Sequence, residues 1–121
     1  MTAQYLIVGL GGALGSMARY GCSVLIPTKH FPFTTLLINI VGSLLIGAVL
    51  AATNKYSSFT QNYQLFLASG VCGGFTTFST FSLENMQLLQ QGKVLTCVVY
   101  IVLSVACGIA FTLLGYKIFN L

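Results

Sequence analysis

Acid is almost missing from this chain: Glu84 is the only Asp or Glu in 121 residues, and charged residues of both signs amount to 5%. A soluble domain carries roughly 25% charged residues, so an ordinary water-exposed surface is excluded. One carboxylate and one imidazole, His30, cannot form the paired carboxylates of a hydrolase or a His-rich metal centre, which removes hydrolysis and phosphoryl transfer from consideration. Proline occurs twice, at Pro27 and Pro32, where it brackets a connection instead of interrupting an apolar run. The cysteines Cys22, Cys72, Cys97 and Cys107 form no C-x-x-C pair and lie in apolar segments, so reduced thiols packed as small hydrophobes are expected, not a metal or redox centre. Gly12-x-x-Gly15 and Gly70-x-x-Gly73 have neither a strand before them nor a terminal G-K-[ST], and are not phosphate loops.

What is present is apolar: 56% of the residues are hydrophobic. Four windows nearly free of charge run from Tyr5 to Ile26, Phe33 to Ala52, Tyr63 to Leu83 and Val94 to Tyr116. At ~1.5 Å per residue each is about long enough for a ~30 Å hydrocarbon core. The expected fold is therefore an all-α membrane protein with four transmembrane helices, about 5–26, 33–52, 63–89 and 94–117, and no soluble domain. The first Lys or Arg is Arg19, so the first helix is expected to be retained and not cleaved as a signal. Asn54 to Asn62 form a polar second connection and Gln90 to Lys93 a tight third one.

The net charge of +4 lies mostly in these connections. With four helices, Lys55 and Lys117 share one side, while Lys29 and Lys93 share the other, with Arg19 and His30 as tie-breakers. The positive-inside bias is therefore weak. That is compatible with insertion both ways round and with an antiparallel dimer, or with one orientation set by Arg19 or by a partner.

Polar residues inside the apolar windows fall in rows. In the second helix Thr35, Asn39, Gly42, Ser43 and Ile46 share one face at 100° per residue. The Asn39 amide either bonds a neighbouring helix as packing glue or offers its NH2 to an anion. In the fourth helix Thr96, Tyr100, Ser104, Gly108 and Thr112 form an i+4 row; its hydroxyls could donate along a pore or bond back to their own helix. Gly12, Gly15, Ser16 and Arg19 share a face of the first helix, with Gly11 and Gly15 as a G-x-x-x-G packing pair. Arg19 is a functional candidate or a snorkelling side chain.

The segment Gly70 to Ser82, GVCGGFTTFSTFS, has eight Gly, Ser or Thr among 13 residues. At membrane depth every backbone group needs a partner, so this composition implies close protein packing or a broken helix lining a polar cavity. Phe75, Phe78 and Phe81 recur at every third position. They are core residues, or rings whose positive edges can face a small anion.

Three blocks together resemble the Fluc (CrcB) family of fluoride channels: Gly12-x-x-Gly15-x-x-x-Arg19-Tyr20, Thr35-Leu36-x-x-Asn39-x-x-Gly42-Ser43-x-x-x-Gly47, and Gly70-x-x-Gly73-Gly74-Phe75-Thr76-Thr77-Phe78-Ser79-Thr80-Phe81-Ser82-x-Glu84. The last is highly specific, and the resemblance extends over nearly the whole chain. One departure is Thr34, where Gly is expected before the Thr-Leu pair.

The resemblance implies a dual-topology, antiparallel homodimer with two pores, a third helix broken near Gly73 to Thr80, and passive fluoride export across the cell membrane. It implies that Phe78 and Phe81 contact fluoride through their ring edges beside the Asn39 amide. Ser79, Thr80, Ser104 and Thr112 would line the ion pathway. The carbonyls of Gly73 and Thr76 from both chains would hold a structural sodium ion, and Arg19 and Glu84 would shape the potential near the vestibule. The expected partners are fluoride, sodium, the lipid bilayer and a second copy, with no nucleic acid. Two other readings are weighed. A small dual-topology drug exporter needs a carboxylate midway through its first helix, and Gly9 to Arg19 holds none. A noncatalytic assembly subunit would show no flux alone.

Overall fold

The computed structural model describes residues 2–27, 31–58 and 60–120, and among them every regular element is helical. Lys29 and His30, two members of the charge count, lie outside the described residues. The elements are α1 (Thr2–Leu25), α2 (Phe33–Lys55), α3 (Gln61–Gln64), a π-helical stretch Leu65–Cys72, α4 (Gly73–Phe75), α5 (Phe78–Gln90) and α6 (Val94–Phe119). From α3 to α5 the chain forms one rod with a break, so the architecture is four rods.

Three segments are long and apolar enough to cross a membrane: Phe33–Lys55, Gln61–Gln90 taken across its break, and Val94–Phe119. The four helical rods are those expected, but α1 is not among the three segments that qualify as spans. Its 24 residues extend ~36 Å, but Gln4, Arg19 and its glycines dilute its hydropathy. What fixes α1 in the same layer is packing. Gly11 lies against Phe66 and Gly70, Gly15 against Val71 and Phe75, and Gly74 against the Gly12 backbone. Contacts that advance together along both rods make α1 parallel to the first half of the broken rod. Backbones this close leave no room for a side chain, which is how small residues hold helices together in lipid.

A second seam joins α2 to α6 by the same device. Gly47 meets the Thr112 carbonyl and the Tyr116 amide, and Gly115 meets the Leu44 carbonyl and the Ala48 amide. These rods are also parallel, as alternating up and down spans require. The outward faces are apolar, with Leu6, Leu10 and Leu14 in one i+4 stripe of α1 and Val98, Val102, Val105, Ile109 and Leu113 on α6.

The connection after α5 closes with a Schellman motif. Lys93 N–H donates to the Leu88 carbonyl (2.9 Å) and Gly92 N–H to the Leu89 carbonyl (3.1 Å). Gly92 takes φ +75°, the left-handed conformation that glycine adopts without a Cβ penalty. At the other end of this layer the Thr34 hydroxyl donates to the Ile26 carbonyl, so the residue that departs from the family pattern ties the start of α2 to the end of α1. The tight core beneath is Leu36, Leu88, Cys97 and Tyr100, with Phe31, Ile40 and Phe81 against it.

Candidate functional site

The break in the third rod is built by two threonines. Thr76 (φ −82°, ψ 154°) and Thr77 (φ −152°, ψ 124°) are extended, and α5 restarts with Thr77 as its cap, its hydroxyl oxygen accepting from Thr80 N–H at 3.2 Å. The Thr76 hydroxyl turns back to the Cys72 carbonyl (2.7 Å). Upstream, Gly73 N–H reaches the Ala68 carbonyl five residues back, the π spacing that accommodates an extra residue per turn and recurs at functional sites.

Facing the break is Asn39. Its Oδ1 accepts the Thr77 N–H at 3.3 Å. Because the partner is a donor, the amide orientation is decided: oxygen toward Thr77, leaving the NH2 without a protein partner among the described hydrogen bonds. Asn39, Gly42, Ser43, Ile46, Cys72, Gly73, Thr76 and Phe78 line one cavity of about 390 Å³. The face predicted for the second helix is thus real, except that Thr35 lies elsewhere.

The two phenylalanines of the segment differ in setting. Their ring centroids are 5.8 Å apart at 42°, but Phe81 packs on Tyr100 at 4.9 Å while Phe78 is 79% exposed. Phe78 borders the cavity that Asn39 lines.

A second cavity of about 410 Å³ runs along the α2–α6 seam, lined by Ser43, Ser104, Val105, Gly108, Ile109, Thr112 and Leu113. Ser43 borders both cavities, so the polar rows of α2 and α6 meet there. The α6 row divides in two: the Thr112 hydroxyl bonds back to the Gly108 carbonyl (2.9 Å), whereas the Ser104 hydroxyl is buried with no partner. Ser79 and Thr80 gather around the Thr77 hydroxyl at 3.1 and 3.3 Å.

Glu84, one turn beyond Thr80 on α5, is half-buried and bonded to α2 and α6. The Thr35 hydroxyl donates to its Oε2 (2.9 Å) and the Tyr100 hydroxyl to its Oε1 (2.8 Å). Arg19 reaches across from α1, its Nε–H donating to the Gly74 carbonyl at 3.2 Å. That carbonyl is at the C-terminal, negative end of the first half-rod, where a cation is favoured.

Residues 6–116 match the family described as CrcB-like protein, Camphor Resistance (CrcB). The chain belongs to the CrcB family. It is 41% identical over 119 residues to the fluoride-specific ion channel FluC of Azobacteroides pseudotrichonymphae, covering 96% of this chain and 95% of the relative. To a protein of that name from Thermus thermophilus it is 43% identical over 118 residues, covering 95% and 94%. To that of Clostridium perfringens (strain ATCC 13124) it is 40% identical over 116 residues, covering 93% and 91%.

Within this CrcB chain the break also presents oxygen donors. Neither the Gly73 nor the Thr76 carbonyl receives a donor among the described hydrogen bonds. Neutral carbonyl oxygens at a helix C-terminus form a donor set suited to a hard monovalent cation. No group of three or more His, Cys, Asp or Glu that could hold a metal ion occurs among the described residues. Reasoning from sequence missed Thr77, which serves at once as cap and as donor to Asn39, and the convergence of Thr35 and Tyr100 on Glu84. The only signal for the first was the Thr77-x-x-Thr80 spacing, a capping pattern inside an apolar window.

Proposed function

We propose that two copies of this chain, inserted in opposite orientations, form a channel that passes fluoride selectively and passively out of the cell. The chain is a multi-pass protein of the cell membrane and a channel, not an enzyme. The observation that carries the reading is the Asn39 amide: with its oxygen held by Thr77, its NH2 is the group a cavity anion meets. Stripping water from a bare anion costs tens of kcal/mol in a low-dielectric medium, so a pore must replace that water with donors along the path. The Asn39 NH2, the edges of Phe78 and Phe81, and the hydroxyls of Ser79, Thr80 and Ser104 supply neutral donors, while Thr112 lines the path with its own O–H given to the Gly108 carbonyl. A ring of fixed positive charge would hold the ion too tightly for fast release.

A second copy would cover Phe78, which is 79% exposed in the single chain. The carbonyls of Gly73 and Thr76, contributed by both copies, would hold a structural sodium ion, which supplies positive potential at the dimer axis. The only carboxylate, Glu84, is engaged by two hydroxyls and gives no free midmembrane group for proton coupling, in keeping with passive flow. Arg19, bonded at the break, and Glu84 shape the potential around the pathway.

Fluoride efflux from liposomes containing purified protein, followed with a fluoride electrode, tests this reading. Phe78→Ile and Phe81→Ile are expected to suppress efflux while the gel-filtration volume of the dimer is unchanged; wild-type rates in both variants remove the aromatic role. A cysteine crosslink that forms only between oppositely inserted copies tests the dimer, and crosslinking only between parallel copies overturns it.

A further inference from the structure

Three successive carbonyls, those of Cys72, Gly73 and Gly74, lie in the last turn of the first half of the broken rod, and their partners differ. The Cys72 carbonyl accepts twice, from Thr76 N–H at 2.9 Å and from the Thr76 hydroxyl at 2.7 Å. The Gly74 carbonyl accepts from Arg19 at 3.2 Å. Gly73, between them, receives nothing among the described hydrogen bonds. Its donor in a continuous α-helix would be Thr77 N–H, four residues on, and that N–H is the one taken by Asn39 Oδ1. The Gly73 carbonyl thus lacks its helical donor, which bonds Asn39 instead.

We infer that Asn39 is a positioning residue for the cation-binding carbonyl of Gly73, acting through the Thr77 N–H, in addition to donating to the anion. The inference rests on the sodium reading given above. Its physical basis is that a half-buried amide must find an acceptor. With Oδ1 present, Thr77 stays extended and the Gly73 oxygen keeps both lone pairs for a cation. With Oδ1 absent, the acceptor that helix continuation offers Thr77 N–H is the Gly73 carbonyl, four residues back, and closing that ring turns its oxygen along the helix axis and occupies it. One amide group then serves both ions, its nitrogen side facing the anion cavity and its oxygen side keeping the break open. Asn39 and Gly73 line the same cavity, so the two tasks meet within one side chain's reach.

The test is a sodium titration of thermal unfolding for the purified dimer in detergent, with N-methylglucamine as the replacement cation, so that bound sodium appears as a rise in the unfolding midpoint. Asn39→Leu is neutral like the native residue, so no Coulomb change intrudes, and Asn39→Ala is carried beside it in case the larger side chain prevents assembly. Both are expected to raise the half-saturating sodium concentration about tenfold or more. Asn39→Asp keeps the acceptor and loses the donor; it is expected to hold sodium at least as tightly as wild type while fluoride efflux is lost. A midpoint lowered equally at every sodium concentration, with unchanged half-saturation in Asn39→Leu and Asn39→Ala, overturns the inference, as does weakened sodium binding in Asn39→Asp. A wild-type midpoint indifferent to sodium strikes down the sodium reading itself, and this inference with it, a result distinct from either of those.

Discussion

Adding one methyl group at Gly11 and one at Gly9 should have opposite consequences, although the two positions are two residues apart on α1. A Cβ on Gly11 falls 2.5 Å from the Phe66 carbonyl oxygen, 2.9 Å from the Gly70 Cα and 3.0 Å from the Val71 amide nitrogen, all backbone atoms, whereas at Gly9 nothing lies within 4 Å. Ordinary contact begins at 3.4 Å, so Gly11→Ala must push α1 away from the π-helical stretch by about 1 Å. A gap of 0.5–1 Å forfeits roughly a quarter to a half of each dispersion contact, and overpacking of this kind costs about 1–3 kcal/mol. The same movement stretches the Arg19 to Gly74 bond, already 3.2 Å. Gly9→Ala removes only backbone entropy from the unfolded chain and should be neutral or stabilising by up to ~1 kcal/mol. Thermal unfolding of both variants in one detergent checks the pair: a lower midpoint and slower fluoride efflux are expected for Gly11→Ala alone. Equal effects would refute the glycine seam as the feature that holds α1 in place.

Three further outcomes follow from single groups. Ser104→Ala deletes a buried hydroxyl that has no partner, so stability should be unchanged or improved by ~1 kcal/mol while fluoride efflux falls; a destabilised protein would mean that the hydroxyl is bonded. Tyr100→Phe keeps the fully buried ring and removes a donor to Glu84, at an expected cost of about 1.5–3 kcal/mol in denaturant unfolding; no loss would deny that the carboxylate depends on it. Thr77→Ala removes the cap of α5 and should cost ~1 kcal/mol, with Thr77→Ser restoring most of it; failure of Ser to rescue would assign the loss to the methyl group instead.

The apolar windows were legible because hydrocarbon imposes a length and a composition on any crossing segment. The composition of Gly70 to Ser82 was legible as unfit for a lipid-facing helix but left close packing and a break both open, and it was the family resemblance that pointed to the break. The π-helical stretch Leu65–Cys72 was not legible: it differs from an α-helix by one residue in hydrogen-bond spacing, and an apolar run carries no periodic mark fine enough to show it. Nor was the Glu84 cluster, since Thr35, Glu84 and Tyr100 sit in three different rods and only packing brings them together. The glycines of α1 announced close approach but not their partners, which the Gly11 to Gly70 and Gly12 to Gly74 contacts supply. The helix-four row illustrates the limit of spacing arguments, because Ser104 and Thr112 share a face and cavity yet only Thr112 has settled its hydroxyl on its own backbone.

The central claim is that neutral donors and phenylalanine edges replace the hydration of the smallest halide. Parallel measurements of fluoride and chloride efflux from liposomes loaded with each salt, under a potassium gradient made conductive by valinomycin, address it most directly. The account predicts rapid loss of fluoride that scales with protein, and chloride loss no faster than from protein-free vesicles. Equal efflux of the two ions, or fluoride retention as complete as in empty lipid, would contradict it.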